Sequence, residues 1–207
     1  MNRIVDYLLL TQSAIPPEGD NIVIAIKVAR ELLPAPGPLV PDAVNVRDPG
    51  FVQVLLAKAI QHLKASMNRE LAISKDFNAW NQQTPNALLL AKLYGLYYAI
   101  AAFNRVLTNM GLEEDRITLQ CLLHLFSIHE LEQYAGWLSG EQLTTTLQWK
   151  ELLFSKNQLL DRVIPLLPRL EAALAVPDNV LQAPVAADDY IAAVCRLEEH
   201  FVDYLAR

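Results

Sequence analysis

Residues 87–103 read ALLLAKLYGLYYAIAAF and form the most apolar stretch of the chain. Lys92 lies inside this stretch, which is also shorter than the roughly 20 apolar residues that a bilayer-spanning helix needs. We therefore predict a buried helix here rather than a membrane span. On either side, apolar residues recur with the 3.6-residue period of a helix and seldom alternate as they do in a strand. The predicted fold class is all-α, an antiparallel helical bundle.

The same period places six helices along the chain. They are predicted at residues 20–33, 48–75, 84–110 and 113–138, from 139 to beyond 156, and at 188–206. Pro165 and Pro168 are expected to bend or break the end of the fifth helix, because proline cannot donate the helical hydrogen bond.

Capping signals set the predicted ends of these helices. Pro49 is placed at the first position of the second helix, and Pro85 opens the third. Gly111 is the predicted C-cap of the third helix. Ser139 and Gln142 have the spacing of a capping box that would open the fifth helix.

The segment after the first helix is rich in proline. Five prolines fall within sixteen residues, at positions 34, 36, 38, 41 and 49. Such a segment cannot be helical and is predicted to be an extended linker. We place a domain boundary here, with an N-terminal segment at residues 1–38 and a helical bundle at residues 39–207.

Composition excludes several classes of protein. The 207 residues are 53% hydrophobic and 19% charged, and the net charge is −6, so neither a disordered chain nor a nucleic-acid-binding surface is expected. The seven glycines are too far apart for a Rossmann or P-loop nucleotide site. Two cysteines exclude a disulfide scaffold. With no targeting signal in the sequence, a cytoplasmic location is expected.

The other residue types that often carry chemistry give no convergent set. His124 and His129 are five apart, so they do not share a helix face as metal ligands would, and we predict no metal site. Cys121 and Cys195 are interpreted as core residues. The cluster Tyr94, Tyr97 and Tyr98 has helical spacing and is also more typical of a core than of a cofactor site. A small independent enzyme with its own pocket is therefore given little weight.

A rigid polar turn, PPEGDN at residues 16–21, breaks this pattern. It presents Glu18 just before the N-terminus of the first predicted helix. From the residues alone, Asp20 or Asn21 is the N-cap and Glu18 is a surface acid that complements the helix dipole.

These segments together resemble the acyl-CoA oxidase family. The resemblance rests on EGDN at 18–21, VARELL at 28–33, Asn2-Arg3, AWN at 79–81, LYGLY at 93–97, GWLS at 136–139, IPL at 164–166 and PDNVLQAP at 177–184. Their order and spacing hold from near residue 2 to near residue 186, and they cover only the C-terminal portion of that family. The family has an aromatic residue where this chain has Pro17, and a threonine is common where it has Ile22.

The resemblance implies a role for the EGDN turn. Glu18 matches the base that takes the α-proton of an acyl-CoA thioester, while hydride passes from the β-carbon to FAD. Gly19, Asp20 and Asn21 match positions beside the flavin or substrate. Desolvation by flavin and acyl chain would raise the pKa of Glu18, and the helix N-terminus behind it would lower it. Arg30 matches too, but no role is assigned to it.

Two hypotheses follow. In the first, the chain is the C-terminal subunit of a split acyl-CoA oxidase or dehydrogenase, and a companion flavin-binding subunit completes an obligate hetero-oligomer. In the second, it is a non-catalytic helical interaction or scaffold protein derived from that domain. In either case the first helix is expected to expose Ile22, Ile26 and Leu33 and to mediate dimerisation or partner docking.

Overall fold

The structure is a computed structural model that describes residues 21–40, 45–74 and 76–173, together with residues 189, 191, 192 and 195. The helices with complete bounds in these residues are α1 (Asn21–Leu32), α2 (Phe51–Ile73), α3 (Phe77–Gln82), α4 (Thr84–Thr108), α5 (Glu113–Glu132), α6 (Ala135–Gly140), α7 (Thr146–Val163) and α8 (Leu167–Ala173). A 3-10 helix, Ile164–Leu166, lies between α7 and α8. No strand occurs in the described part of the chain. The all-α prediction is confirmed.

The chain divides into two compact units. The larger is Ala14–Pro165 and contains α1 to α7. The smaller combines Met1–Ser13 with Leu166–Arg207 and contains α8. The boundary predicted from the proline-rich segment, near residue 38, stays a prediction.

The core of the larger unit is built around α2 and α4. Helix α4 packs against α1, α2 and α5, and α5 packs along α7. Leu56 and Ile60 of α2 and Leu90 and Leu93 of α4 have no solvent exposure. Because burying one such side chain contributes about 1.5–3 kcal/mol, these four side chains together stabilise the unit.

Helix α4 contains the apolar stretch from which the fold was predicted. By length and composition alone it could cross a membrane. Its residues Leu90, Leu93 and Ile100 are nevertheless buried in the protein core, which is how the apolar side chains of a core helix are placed. Helix α4 therefore packs one face into the core, while Tyr98, Phe103 and Val106 are exposed, so the prediction of a buried helix is confirmed for that face only.

Helix α2 begins at Phe51, so the prediction that Pro49 is its first residue is wrong. Asp48 closes a turn instead: Oδ2 accepts a hydrogen bond from the Asn45 N–H (3.1 Å), and its carbonyl accepts one from Phe51 N–H (2.9 Å). The N-cap is Gly50, which has no side chain to cap the helix. The turn around Asp48 leads directly into α2.

Helix α4 has Pro85 in its first turn, as predicted. The predicted C-cap, Gly111, is wrong, because Asn109 occupies that position. The Asn109 N–H bonds to the carbonyl of Val106 (3.1 Å), and its side-chain amide donates to the carbonyl of Arg105 (3.0 Å). These two bonds satisfy carbonyls of the last turn without glycine.

The predicted helix at 113–138 is two helices. After α5 the Gln133 N–H bonds to the carbonyl of Glu130 (3.3 Å) and the Tyr134 N–H to that of Leu131 (3.0 Å). Such bonds over three residues tighten and end an α-helix, and α6 starts at Ala135.

The capping box lies six residues later than predicted. Thr145 accepts the Gln148 N–H through its hydroxyl (3.2 Å), and the Gln148 side chain accepts the Thr145 N–H (2.9 Å), which opens α7. The predicted box is wrong because Ser139 lies within α6, and Gln142 has a left-handed backbone with φ 56° that a right-handed helix cannot include.

The prolines after α7 act as predicted, since the α-helix ends at Val163 and is followed by a 3-10 turn and the short α8. The last predicted helix, 188–206, lies outside the described residues except for positions 189, 191, 192 and 195.

Helix α3 was not predicted. It is capped by Asp76, whose Oδ1 accepts the Ala79 N–H at 2.7 Å.

Candidate functional site

The predicted catalytic base, Glu18, lies outside the described residues, as do Gly19 and Asp20. Asn21 is the first residue of α1, and its backbone alone is described. The roles assigned to these four residues therefore stay predictions. What the structure describes is the helix into which the EGDN turn leads.

Helix α1 is covered at one end and open at the other. Ala29 and Leu33, near its C-terminus, are buried in the core and α1 packs on α4. Ile22, Val23 and Ile24 in the first turn are more than half exposed. The expectation of an uncovered apolar face was wrong for Leu33, because α4 covers that end. The exposed apolar residues lie at the end next to the EGDN turn.

The proline-rich segment after α1 is clamped by side chains of α2 and α4. Gln61 donates to the carbonyl of Pro38 (2.9 Å), Lys64 donates through Nζ to the carbonyl of Ala35, and the Tyr94 hydroxyl donates to that of Pro36 (3.3 Å). Proline has no N–H of its own, so these carbonyls cannot be paired in regular structure within the segment. The clamp fixes the exit of α1 relative to the core.

Burial shifts the pKa values of two side chains of this clamp, Lys64 and Tyr94. Lys64 is buried, and desolvation holds the pKa of its ammonium below the ordinary value. The Lys64 Nζ also lies 5.9 Å from the centre of the Tyr94 ring. Burial raises the pKa of Tyr94, with smaller contributions from Tyr98 and Tyr97. These two side chains hold the proline-rich segment in place, and this structural role accounts for their burial without a substrate.

The tyrosine cluster only partly meets the prediction of a core cluster. Tyr94 is buried, while Tyr98 is more than half exposed. The Tyr98 ring stacks on Tyr94 with centroids 5.7 Å apart and meets Tyr97 edge-on at 5.3 Å. The cluster therefore runs from the core at Tyr94 to the surface at Tyr98.

Two segments that carried the family resemblance meet in space. The guanidinium of Arg30, in VARELL, lies 4.7 Å from the centre of the Trp80 ring, in AWN. This is a cation–π contact, which contributes about 0.5–1 kcal/mol at an exposed site. Sequence reasoning assigned Arg30 no role, and a contact between residues so far apart in the chain leaves no periodic signal that could have revealed it.

The histidines are dispersed. His62 Nε2 and Glu141 Oε2 are 2.8 Å apart, and His129 lies 3.7 Å from Glu132. His124 is buried, its Nε2 has no hydrogen-bond partner, and desolvation lowers its pKa. Within the described ranges no three His, Cys, Asp or Glu side chains form a group that could hold a metal ion.

The two cysteines differ. Cys121 is half-buried and packs against the core, which agrees with its prediction. Cys195 is exposed, so its interpretation as a core residue was wrong. Both are free thiols.

Comparison with known proteins gives the family. The model of the acyl-CoA oxidase family matches residues 50–189, about two thirds of the chain. Comparison with curated protein sequences gives no significant match. The family match starts just before α2 and so covers the helices of the core.

Solved structures share this fold. Acyl-CoA oxidase 1 from Yarrowia lipolytica superposes with a TM-score of 0.75 at 17% identity, over 86% of this chain and 31% of that one. Acyl-CoA oxidase 3 of the same yeast gives 0.75 at 17%, over 86% and 30%. Arabidopsis thaliana acyl-CoA oxidase 1 gives 0.74 at 16%, over 86% and 31%. This chain thus spans less than a third of the length of each.

The order of the helices and their packing define an all-α bundle of the type found in the C-terminal portion of acyl-CoA oxidases. The chain belongs to the acyl-CoA oxidase family.

Proposed function

We propose that this chain contributes the base and the helical bundle of an acyl-CoA oxidase or dehydrogenase that acts on acyl thioesters. The observation that carries the proposal is the family match over residues 50–189. The EGDN turn adds the chemical part, because it lies directly before α1 in the sequence and α1 is anchored to the matched bundle through α4.

In this proposal Glu18 takes the α-proton of the acyl thioester. A carboxylate that enters an apolar site becomes a stronger base, because desolvation disfavours its charged form. The N-terminus of α1 opposes this effect by stabilising the carboxylate. The pKa of Glu18 then depends on what covers the EGDN turn. The exposed apolar first turn of α1 is where a covering surface would pack.

The described side chains next to the EGDN turn do not supply a flavin site. The exposed ones are Ile22, Val23 and Ile24, and none of them can bind a diphosphate or a ribityl hydroxyl. The proposal therefore assigns FAD to a companion acyl-CoA dehydrogenase-like subunit, which forms a hetero-oligomer with this chain in the cytoplasm.

Co-expression of this chain with such a companion tests the proposal. We expect the two to co-purify as a yellow complex whose flavin absorbance is bleached by an acyl-CoA. Glu18→Gln should lower the bleaching rate by about 10²- to 10⁴-fold, because that is what a general base contributes. Glu31→Gln, which removes the same charge from an exposed position of α1, is the matched control.

Three results would contradict the proposal: full turnover with Glu18→Gln, an equal loss with Glu31→Gln, or no co-purification and no flavin. The last result would leave the bundle as a non-catalytic interaction module, and the search would turn to its protein partners.

A further inference from the structure

A second candidate site lies at the far end of α1, where α1, α2 and α3 meet. The pocket is a shallow cleft with a volume of about 600 Å³ that is largely open to solvent. Its lining includes Arg30, Leu33, Asn68, Leu71, Phe77 and Trp80. Pockets of about 300–1,000 Å³ with mostly apolar walls and a few polar groups are the usual form of small-molecule sites.

The cationic group of this pocket is Arg30. Arg30 takes part in none of the ion pairs found among the described residues, and its guanidinium lies over the Trp80 ring. A guanidinium held over a ring face by a cation–π contact keeps its N–H donors, which can bind a carboxylate in a bidentate manner. The contact with the ring also restricts the side chain, which lowers the entropy lost on binding.

The remaining lining contains both apolar and polar side chains. Leu33 and Leu71 offer aliphatic surface, and Phe77 is more than three-quarters exposed at the pocket. Asn68 adds an amide. The acid in the lining, Asp76, already accepts the Ala79 N–H at 2.7 Å as the N-cap of α3.

We propose that this pocket binds an organic carboxylate with an apolar body, with the carboxylate on Arg30 and the body on Leu33, Leu71 and Phe77. The site shares no residue with the EGDN turn and requires no companion subunit. Its test is therefore independent of the flavoenzyme proposal.

Nuclear magnetic resonance of the ¹⁵N-labelled full chain gives the test. The probes are 2-naphthoate, which has a flat body, decanoate, which has a chain, and uncharged 2-naphthalenemethanol as the control. The indole N–H signals of Trp80, Trp137 and Trp149 are assigned by single Trp→Phe variants. We expect at least one carboxylate to shift the Trp80 signal but not the other two, and the tighter binder identifies the body that the pocket prefers.

Paired variants distinguish the contact between Arg30 and the carboxylate from non-specific binding. Arg30→Gln should weaken binding by about tenfold or more, because a charge-assisted hydrogen bond is lost. Arg69→Gln removes the same charge from an exposed position of α2 outside the pocket lining and should leave affinity unchanged. Asp76→Asn removes the opposing charge, keeps an N-capping side chain, and should strengthen binding.

The proposal is overturned if neither carboxylate shifts the Trp80 signal, if 2-naphthalenemethanol binds as tightly as 2-naphthoate, or if Arg30→Gln and Arg69→Gln have equal effects.

Discussion

His124 is a buried histidine with an unpaired nitrogen. Desolvation holds its pKa below the ordinary value of 6.5, so between that lowered pKa and 6.5 the unfolded chain binds a proton that the folded chain does not. The free energy of unfolding is therefore not reduced by this group above pH 6.5, and it falls as the pH drops below 6.5.

His124→Leu removes the titrating imidazole and, with it, the unpaired Nε2. We expect the variant to be more stable than the native chain by about 1 kcal/mol at pH 7.5, because a buried unpaired polar atom is lost. The difference should be larger at pH 5.5. Urea unfolding at both pH values measures it, and an equal difference at the two values would contradict the assignment.

Gln142 is the one non-glycine residue with a left-handed backbone among those described, at φ 56°. A side chain in this region costs about 1–2 kcal/mol, which glycine avoids. Gln142→Gly should therefore raise the free energy of unfolding by about 1 kcal/mol, as measured by urea denaturation. Gln133→Gly, at a residue with φ −61° and an exposed side chain, should lower it instead. A loss of stability at both positions would refute the strain at 142.

At the scale of one helix, α7 depends on its capping box. Thr145→Ala removes the hydroxyl that accepts the Gln148 N–H and should cost about 1 kcal/mol of unfolding free energy. Thr146→Ala changes the neighbouring exposed threonine, which caps nothing, and should have little effect. Thermal unfolding followed by circular dichroism compares the two. An equal loss of stability in Thr146→Ala and Thr145→Ala would contradict the contribution assigned to the cap.

The helix ends show what the sequence could and could not reveal. The long helices α2, α4 and α7 were predicted because their apolar period extends over many turns. The predicted capping box at Ser139 and the observed one at Thr145 have equal spacing, and only the chain path around Gln142 excludes the first. Helix α3 spans six residues, too few for a period to be recognised.

Contacts between elements were beyond prediction for a different reason. The donors that clamp the proline-rich segment, Gln61, Lys64 and Tyr94, lie 23, 29 and 58 residues from their acceptors. Nothing in one sequence links positions at such separations. The segment was therefore interpreted as a tether, although its described part is held to the core. The Arg30–Trp80 contact escaped prediction for the same reason.

For the whole molecule, the predicted family is confirmed, whereas the predicted site stays a prediction. Motifs spread over most of the chain identified the acyl-CoA oxidase family, and the family match over residues 50–189 confirms it. The assigned site is a short polar turn at residues 18–21 before α1. Its geometry in a working enzyme would depend on flavin and substrate, which the sequence of this chain cannot specify.

The exposed first turn of α1 determines how the isolated molecule should behave. Val23 and Ile24 expose 60% and 51% of their surface, next to Ile22 at 56%, and a contiguous exposed apolar patch is typical of an interaction surface. We expect the isolated chain to self-associate through this turn. Ile24→Lys should weaken the association by about tenfold or more, because burial of one isoleucine contributes about 1.5–3 kcal/mol.

Sedimentation velocity over a range of concentrations measures this effect. Leu39→Lys is the matched control, since Leu39 is 88% exposed but lies outside any helix. If the same turn binds the companion subunit, Ile24→Lys should reduce co-purification as well, whereas Leu39→Lys should not. Equal sedimentation of the native chain and Ile24→Lys would exclude this turn as the interface, and another apolar surface, such as Tyr98 and Phe103 of α4, would have to carry any association.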